Sequence, residues 1–251
     1  MKIYYSANFL KINQSKTVMM IVPKTKSKVK WNETEIKVDD GVIKTSESMK
    51  MLGGYLNDAL NNATEVNNLV STLAKIEISL KRLDFISDIN IRRQMANAVF
   101  MGRLNYFLPT YSNLTTIQIG KISKRLMRVA RWIKGGPCLG ISNHAILNEC
   151  GWLPVKELIR LSGLKVLHSI IATKEPKCLY EYIKIPRRST ANIALARYPK
   201  KSKLKKFFIN QCLDDYNKLP KELKAKAPEK FKEATTKMFK KLYKVNPNIR
   251  F

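Results

Sequence analysis

The sequence predicts an α+β fold, in which a small antiparallel β region at the N-terminus precedes a mostly α-helical region. In residues 1–60, short β-branched runs are separated by turn-forming residues, a pattern typical of strands. From about Asn62 onward, apolar residues instead recur at three- and four-residue steps, which is the spacing of amphipathic helices. The chain has 251 residues and is 45% hydrophobic, so it is long enough to bury a sizeable core.

The β region begins with two features. The apolar run Thr17–Val22 is ended by Pro23, and it predicts a buried strand. The turn-forming residues 39–41, Asp-Asp-Gly, separate Glu35–Val38 from Val42–Thr45, and they predict a β-hairpin.

The last predicted strand of this region is Met49–Leu56, which contains Gly53 and Gly54. A glycine inside a strand indicates either a bulge or a close approach by another backbone. Both interpretations remain open for this pair.

The helical region divides into segments whose ends coincide with caps, glycines or prolines. Ser87-Asp88 is a candidate cap, and Pro109, Gly135 and Pro220 are candidate terminators. The predicted helices cover residues 62–83, 89–107, 115–134, a short segment within 138–152, and residues 153–172, 204–219 and 228–244.

The helix predicted at Thr115–Lys134 separates its apolar and cationic side chains. At 100° per residue, its isoleucines, leucine and valine fall on one face and its cations on the other. Such a face suits nucleic-acid phosphates, although an ordinary solvated helix face is the alternative. The cations are Lys121, Lys124, Arg125, Arg128 and Arg131.

The net charge of the chain is +28, from 47 Lys+Arg against 19 Asp+Glu. An excess of this size repels itself in a folded protein, so it indicates a polyanionic partner. Nucleic acid is the first candidate, an acidic membrane surface is the second, and a lysine-rich solvated surface is the alternative to both.

The densest basic stretch is predicted to be an irregular linker or clamp loop at residues 184–206. It could bind RNA, act as a nuclear import signal, or serve only as a charged linker. Its cations are Arg187, Arg188, Arg197, Lys200, Lys201, Lys203, Lys205 and Lys206.

Neither a membrane-spanning segment nor a signal peptide is predicted, because no apolar run reaches about 18 residues. The four cysteines are widely spaced, which fits a reduced compartment. Together with the charge, these features predict an intracellular protein in a nuclear or cytoplasmic ribonucleoprotein, with no membrane partner. No metal site is predicted, because the cysteines and the two histidines lack the short paired spacings of a zinc site.

Several short motifs occur along the chain in a fixed order. They are Leu10-Lys11-Ile12-Asn13-x-x-Lys16-Thr17-x-x-Met20, Met51-Leu52-Gly53 with Leu56-x-Asp58, Asn105-Tyr106-Phe107, Leu126-x-Arg128-x-Ala130-Arg131, Gly151-Trp152-Leu153-Pro154-Val155, Tyr216-Asn217-Lys218-Leu219-Pro220-Lys221-Glu222-Leu223 and Phe231-Lys232. Each motif is weak alone. Their order and spacing resemble the C-terminal half of a non-LTR retrotransposon reverse transcriptase of the jockey-like kind, over nearly the whole chain.

The resemblance implies three regions. Residues 1–60 would be a palm remnant with a lysine-motif strand, a hairpin and a primer-grip-like strand. Residues 61–136 would be a helical thumb, and residues 137–251 a helical C-terminal region that contains the basic linker. By the same resemblance, Lys16 matches a lysine near the phosphates of the incoming nucleotide, and Gly53 and Gly54 match a strand that approaches nucleic acid.

In this family, polymerisation uses two Mg²⁺ ions held by carboxylates on strands upstream of the position that matches Leu10, including a tyrosine-x-Asp-Asp hairpin. The pairs Asp39-Asp40 and Asp214-Asp215 lie in the wrong order or context to replace them. We therefore expect the chain alone to hold no cofactor and to lack polymerase activity.

The resulting hypothesis is a fragment of a retrotransposon RNA-directed DNA polymerase whose remaining role is to bind RNA and DNA, such as a template–primer. An upstream polymerase portion supplied as a separate chain is a further candidate partner. The alternative is a basic helical RNA-binding or scaffold protein that has no polymerase role.

Overall fold

The structure is a computed structural model that describes residues 7, 13, 16–22, 35–38, 41–59, 61–185, 194–195 and 208–247. It is 65% helical, with small antiparallel sheets on the N-terminal side followed by helices, so the predicted α+β class is confirmed. The chain divides into two compact units, Met1–Asn68 and Leu69–Phe251. The predicted three-region division stays a prediction.

The N-terminal unit contains two β-hairpins. Strands β1 (Glu35–Val38) and β2 (Gly41–Lys44) pair antiparallel, with Val38 opposite Gly41. This pairing confirms the predicted hairpin, with its second strand starting one residue earlier than expected. Strands β3 (Ser48–Met51) and β4 (Gly54–Asn57) form the second hairpin.

The strand expected at Thr17–Val22 is wrong. Met19 makes only an isolated parallel bridge to Thr45, and Val18 and Val22 are 45% and 43% exposed. Strand propensity in β-branched residues reflects packing against a neighbouring strand, and this run has such a neighbour at a single position among the described residues.

The single strand expected at Met49–Leu56 is also wrong, because the chain folds back in the middle of it. Leu52 and Gly53 have φ angles of 50° and 84° and form the turn between β3 and β4. Positive φ at both central residues is the type I′ geometry, whose twist matches that of the flanking strands. The glycine pair therefore lies at a hairpin turn, with Gly54 opposite Met51.

The remaining elements are helical apart from one short sheet. Each predicted helix is found to within a few residues where the chain is described, and three short helical elements, Leu108–Asn113, Lys177–Tyr180 and Lys221–Lys224, were not predicted. The sheet pairs β5 (Ile183–Lys184) with β6 (Ala194–Leu195). The helices are α1 (Ala63–Lys81), α2 (Ile89–Ala96), a π-helical turn (Asn97–Met101), α3 (Gly102–Asn105), a 3₁₀ helix (Leu108–Asn113), α4 (Thr116–Ile133), α5 (Asn143–Cys150), α6 (Val155–Thr173), α7 (Lys177–Tyr180), α8 (Phe208–Lys218), α9 (Lys221–Lys224) and α10 (Pro228–Val245).

Local hydrogen bonds and backbone conformation fix several helix ends, and the cap at Asp88 among them was predicted. The Asp88 carboxylate accepts from the backbone of Asn90 at 2.6 Å, which caps α2. Thr115 and Gln118 form a capping box at the start of α4. Gly151 adopts the left-handed conformation that ends α5.

Helix α6 lies at the centre of the C-terminal unit, where it packs against the 3₁₀ helix, α8 and α10. The approach to α8 is close at Gly163, because a Cβ at this position would overlap the Cys212 sulfur. Burial raises the pKa of the Cys212 thiol to about 12, so that side chain behaves as a neutral packing group.

A buried histidine joins α6 to α8 and α10. One ring nitrogen of His168 faces the Tyr216 hydroxyl and the other faces the Lys226 carbonyl, each at 2.9 Å. The ring also stacks on Phe231 with a centroid distance of 3.7 Å. Because a carbonyl only accepts, Nε2 donates to it and Nδ1 accepts from the tyrosine. Desolvation lowers the pKa of His168, which keeps the ring neutral.

Both tryptophans of this unit are core anchors, as expected. Trp152 is 5% exposed, stacks on Phe100 and donates to the Asn97 amide oxygen at 2.8 Å. Trp132 is also 5% exposed. None of the helices in the described ranges combines the length and the apolar content that crossing a bilayer requires.

Candidate nucleic-acid interface

Helix α4 carries the predicted cationic row, defined as Lys121, Lys124, Arg125, Arg128 and Arg131. Lys121 and Lys124 are exposed, whereas the side chains of Arg128 and Arg125 are 42% and 27% exposed. From Lys121 to Arg131 the row covers ten helical steps, or about 15 Å of helix. It is therefore long enough to follow several phosphates of one strand.

Two cations of the row, together with a third from α1, surround one carboxylate that the sequence analysis did not single out. The Glu77 side chain is only 4% exposed. Its oxygens lie 3.0 Å from Arg125, 3.2 Å from Lys81 and 3.7 Å from Arg128. We name these four residues the Glu77 cluster. Its formal net charge is +2, so pairing orients the cations without cancelling them.

The position of Glu77 follows from the sequence of α1. It lies four residues after Leu73 and three before Leu80, on the apolar stripe that the helix buries. A buried carboxylate is costly unless it is paired, so one on an apolar stripe indicates a basic partner on the facing helix. This signal was present in the sequence and could have led to Arg125.

The C-terminal end of the row borders a cleft of about 570 Å³, which we name the α4 cleft. Lys81, Arg128 and Arg131 line it, and Asp84 is the carboxylate among its lining residues. Arg131 also donates to the Asn143 amide oxygen at 3.0 Å, which orients its guanidinium. The cleft therefore concentrates positive charge beside the row.

A fourth cation forms part of the wall. Arg92 is 7% exposed and donates to the carbonyls of Asp84, Ile86 and Trp132 at 2.6, 2.5 and 2.7 Å. Its guanidinium also lies 5.2 Å from the centre of the Trp132 ring. These bonds tie the loop after α1 to the end of α4, which holds the shape of the cleft.

Trp132 is also among the lining residues of the cleft. Its indole Nε1 is buried and has no hydrogen-bond partner within the part of the chain that the structure describes. A buried donor without a partner costs about 1–3 kcal/mol.

The other predicted site residues lie apart from this row in the sequence. Lys16 is exposed in a short turn, where its backbone N–H bonds the Asn13 carbonyl at 3.1 Å. Gly53 lies in the turn of the second hairpin, and Gly54 is buried at the start of β4. These three residues belong to the N-terminal unit, whereas α4 belongs to the C-terminal one.

Several predicted residues lie outside the described ranges, so their places are not assigned. These are the linker cations Arg187, Arg188, Arg197, Lys200, Lys201, Lys203, Lys205 and Lys206, and the turn residues Asp39 and Asp40.

The remaining acidic and metal-ligand candidates have packing roles where they are described. Asp215 is paired to Arg160 at 2.8 Å, and Arg160 also pairs with buried Glu157 at 2.7 Å. Both ring nitrogens of His168 are hydrogen-bonded, one to the Tyr216 hydroxyl and the other to the Lys226 carbonyl. Over the described residues, no three side chains of His, Cys, Asp or Glu come together in a way that could hold a metal ion.

Comparison with known proteins gave no relative from which a role could be transferred. No protein-family model, curated protein sequence or solved structure matches this chain.

Proposed function

We propose that this chain binds nucleic acid through the cationic row of α4 and the α4 cleft. We further infer that it does so as the template–primer-holding part of a retrotransposon reverse transcriptase. The observation that carries the binding proposal is the Glu77 cluster, in which a buried carboxylate orients Arg125 and Arg128 beside the exposed Lys121 and Lys124.

The arrangement supports phosphate contact rather than base reading. Exposed lysines and partly exposed arginines on one helix face attract phosphates without regard to sequence. A guanidinium that is already held by a carboxylate loses less side-chain freedom when it meets a phosphate. The net charge of +28 adds long-range attraction to the same partner.

The binding proposal is tested by the salt dependence of affinity. Fluorescence anisotropy with a labelled 20-nucleotide RNA, titrated at several salt concentrations, gives the slope of log K against log salt. The double variant Lys121→Ala/Lys124→Ala removes two exposed cations and should reduce that slope by about 1.4 on a single strand. Affinity should fall at every sequence tested.

The matched control is Lys156→Ala/Lys177→Ala, which removes the same charge from two exposed lysines outside α4. Its slope should stay close to that of the unchanged chain. Equal losses in the two double variants would show that only net charge matters and would contradict a site on α4.

The reverse transcriptase part of the proposal is tested separately with different nucleic-acid forms. A polymerase thumb should hold a recessed RNA–DNA template–primer more tightly than either strand alone at equal salt. Equal affinity for all forms would instead favour the alternative of a basic helical RNA-binding or scaffold protein. The mutational result on α4 stands in either case.

A further inference from the structure

A second cavity of the C-terminal unit is not lined by the cationic row. It encloses about 670 Å³ and lies among α2, the π-helical turn, α6 and α10. Three cations from three different helices line it: Arg93 of α2, Lys165 of α6 and Lys240 of α10. We name this space the α6–α10 pocket.

Among the described residues, none of these three cations has a carboxylate oxygen within 4.0 Å. In the same part of the chain, the Nε of Arg93 is buried without a hydrogen-bond partner. The nearby carboxylates of α10 are used elsewhere, since Glu229 pairs with Lys232 and Glu233 with Lys237.

The surroundings of Lys165 disfavour its charged form, first through burial and then through neighbouring lysines. Burial, followed by the charges of Lys232 and Lys240, lowers the pKa of Lys165. Its surroundings therefore disfavour its charge, in contrast to those of the Glu77 cluster. An anion placed between these cations would reverse that balance.

The rest of the pocket wall is mostly apolar. Leu108, Leu153 and Leu161 are buried side chains that line it. Burial raises the pKa of Cys150 to about 11, so its thiol adds no charge. Asn105 and Ser162 supply hydrogen-bonding groups on the same lining. A pocket of this size with apolar walls and a few polar groups is typical of small-molecule sites.

We propose that the α6–α10 pocket binds a nucleoside phosphate. The phosphate groups would lie among Arg93, Lys165 and Lys240, and the nucleoside would lie against the apolar wall. Three cations match a ligand group with two or more negative charges better than they match a ligand with a single carboxylate. The polar side chains Asn105 and Ser162 line the pocket and can hydrogen-bond a heterocycle, whereas an acyl chain offers them neither donor nor acceptor. The ligand is either a free nucleotide or the phosphorylated end of a strand.

The test is calorimetric binding of three probes to the full chain: adenosine diphosphate, inorganic pyrophosphate, and an oligonucleotide with or without a 5′-phosphate. Adenosine diphosphate should bind with one site per chain and more tightly than pyrophosphate, because only the nucleotide fills the apolar wall. A free-nucleotide site binds the diphosphate and ignores the 5′-phosphate of the oligonucleotide, whereas a strand-end site gains affinity from it.

The variant Lys165→Met should weaken adenosine diphosphate binding at least tenfold. Lys156→Met, an exposed lysine on the same helix, makes the same charge change and should leave binding within twofold. A second readout is the acetylation of Lys165, followed by mass spectrometry. Bound nucleotide should protect this lysine and leave Lys156 reactive.

Two results would overturn the proposal. If Lys165→Met and Lys156→Met weaken adenosine diphosphate binding equally, the binding is only a general attraction of anions to a basic protein. If pyrophosphate binds as tightly as the nucleotide, the apolar wall does not contact the ligand. The variant Lys121→Ala/Lys124→Ala should keep nucleotide binding. The experiments can therefore contradict the pocket proposal without contradicting the α4 binding proposal, and the reverse.

Discussion

The Glu77 cluster and the α6–α10 pocket each bring three cations together, but only the first contains a carboxylate. Glu77 lies within 4 Å of all three of its basic partners. In the pocket, the described carboxylates nearby pair with other lysines, and the pKa of Lys165 is lowered. The first group is paired from within the chain and keeps a formal net charge of +2. The three cations of the second have no carboxylate oxygen within 4.0 Å among the described residues.

The difference shows that the place of the few acidic residues matters more than the number of basic ones. With 19 Asp+Glu for 47 Lys+Arg, most cations cannot have an acidic partner of their own. A carboxylate buried among cations, such as Glu77, holds several of them in place. In the α6–α10 pocket the described lining residues include no carboxylate.

The largest expected effect on stability comes from removing the carboxylate of the Glu77 cluster. Glu77→Gln keeps the size of the side chain but leaves Arg125, Arg128 and Lys81 without their shared charge. Because Glu77 is buried, we expect the free energy of unfolding in urea to fall by about 2 kcal/mol. Glu149→Gln removes a half-exposed carboxylate from Lys134 and should change it much less. A loss no larger than that control would show that Glu77 does not organise the cluster.

Removing one charge from the α6–α10 pocket should raise the free energy of unfolding, whereas removing the charge of Glu77 should lower it. Lys165→Met keeps an apolar stem and removes a cation that burial and its neighbours disfavour. We expect the free energy of unfolding to rise by up to about 1 kcal/mol in the absence of ligand. A clear loss of stability relative to Lys156→Met would mean that Lys165 has a stabilising partner within the chain. The pocket would then not differ from the Glu77 cluster in this respect.

The comparison can be sharpened by giving the pocket a carboxylate of its own. Lys240→Glu places an acidic side chain beside Lys165 and should stabilise the unliganded chain by about 0.5 kcal/mol. It should also abolish nucleotide binding, which calorimetry measures on the same sample. Nucleotide binding that survives this variant would contradict the assigned cation set.

The smallest expected effect is a dependence on pH. The pKa of Lys165 is lower in the folded chain than its ordinary value of 10.5, so the folded state loses this proton first as pH rises. Between the folded pKa and about 10.5, the unfolded state holds more protons, and stability rises with pH. Urea unfolding of the unchanged chain and Lys165→Met should therefore show a stability difference that narrows toward pH 10.5. A constant difference would contradict the lowered pKa.

Much of the fold could be read from the sequence because it rests on local signals. The periodicity of α1 and α4 and the cap at Asp88 each act within a few residues. The run Thr17–Val22 and the strand Met49–Leu56 failed because strand formation depends on partners elsewhere in the chain. At Leu52-Gly53, a turn with positive φ replaced the continuous strand.

The candidate site was predicted in part. The cationic row of α4 follows from helix geometry alone, so its five residues could be named. The pairing of Arg125 with Glu77 joins positions 48 residues apart. The pocket brings together residues from α2, α6 and α10. Such groupings are products of helix packing, which periodicity within one helix does not specify.

The close approach of α6 and α8 at Gly163 has a consequence for the substitutions that this chain can accept. Any side chain larger than hydrogen at 163 requires the Cys212 sulfur to move or to be removed, because a Cβ there would overlap it. Alanine at 163 should therefore be tolerated better together with alanine or glycine at 212 than alone. The two positions are then coupled, although 48 residues of sequence separate them.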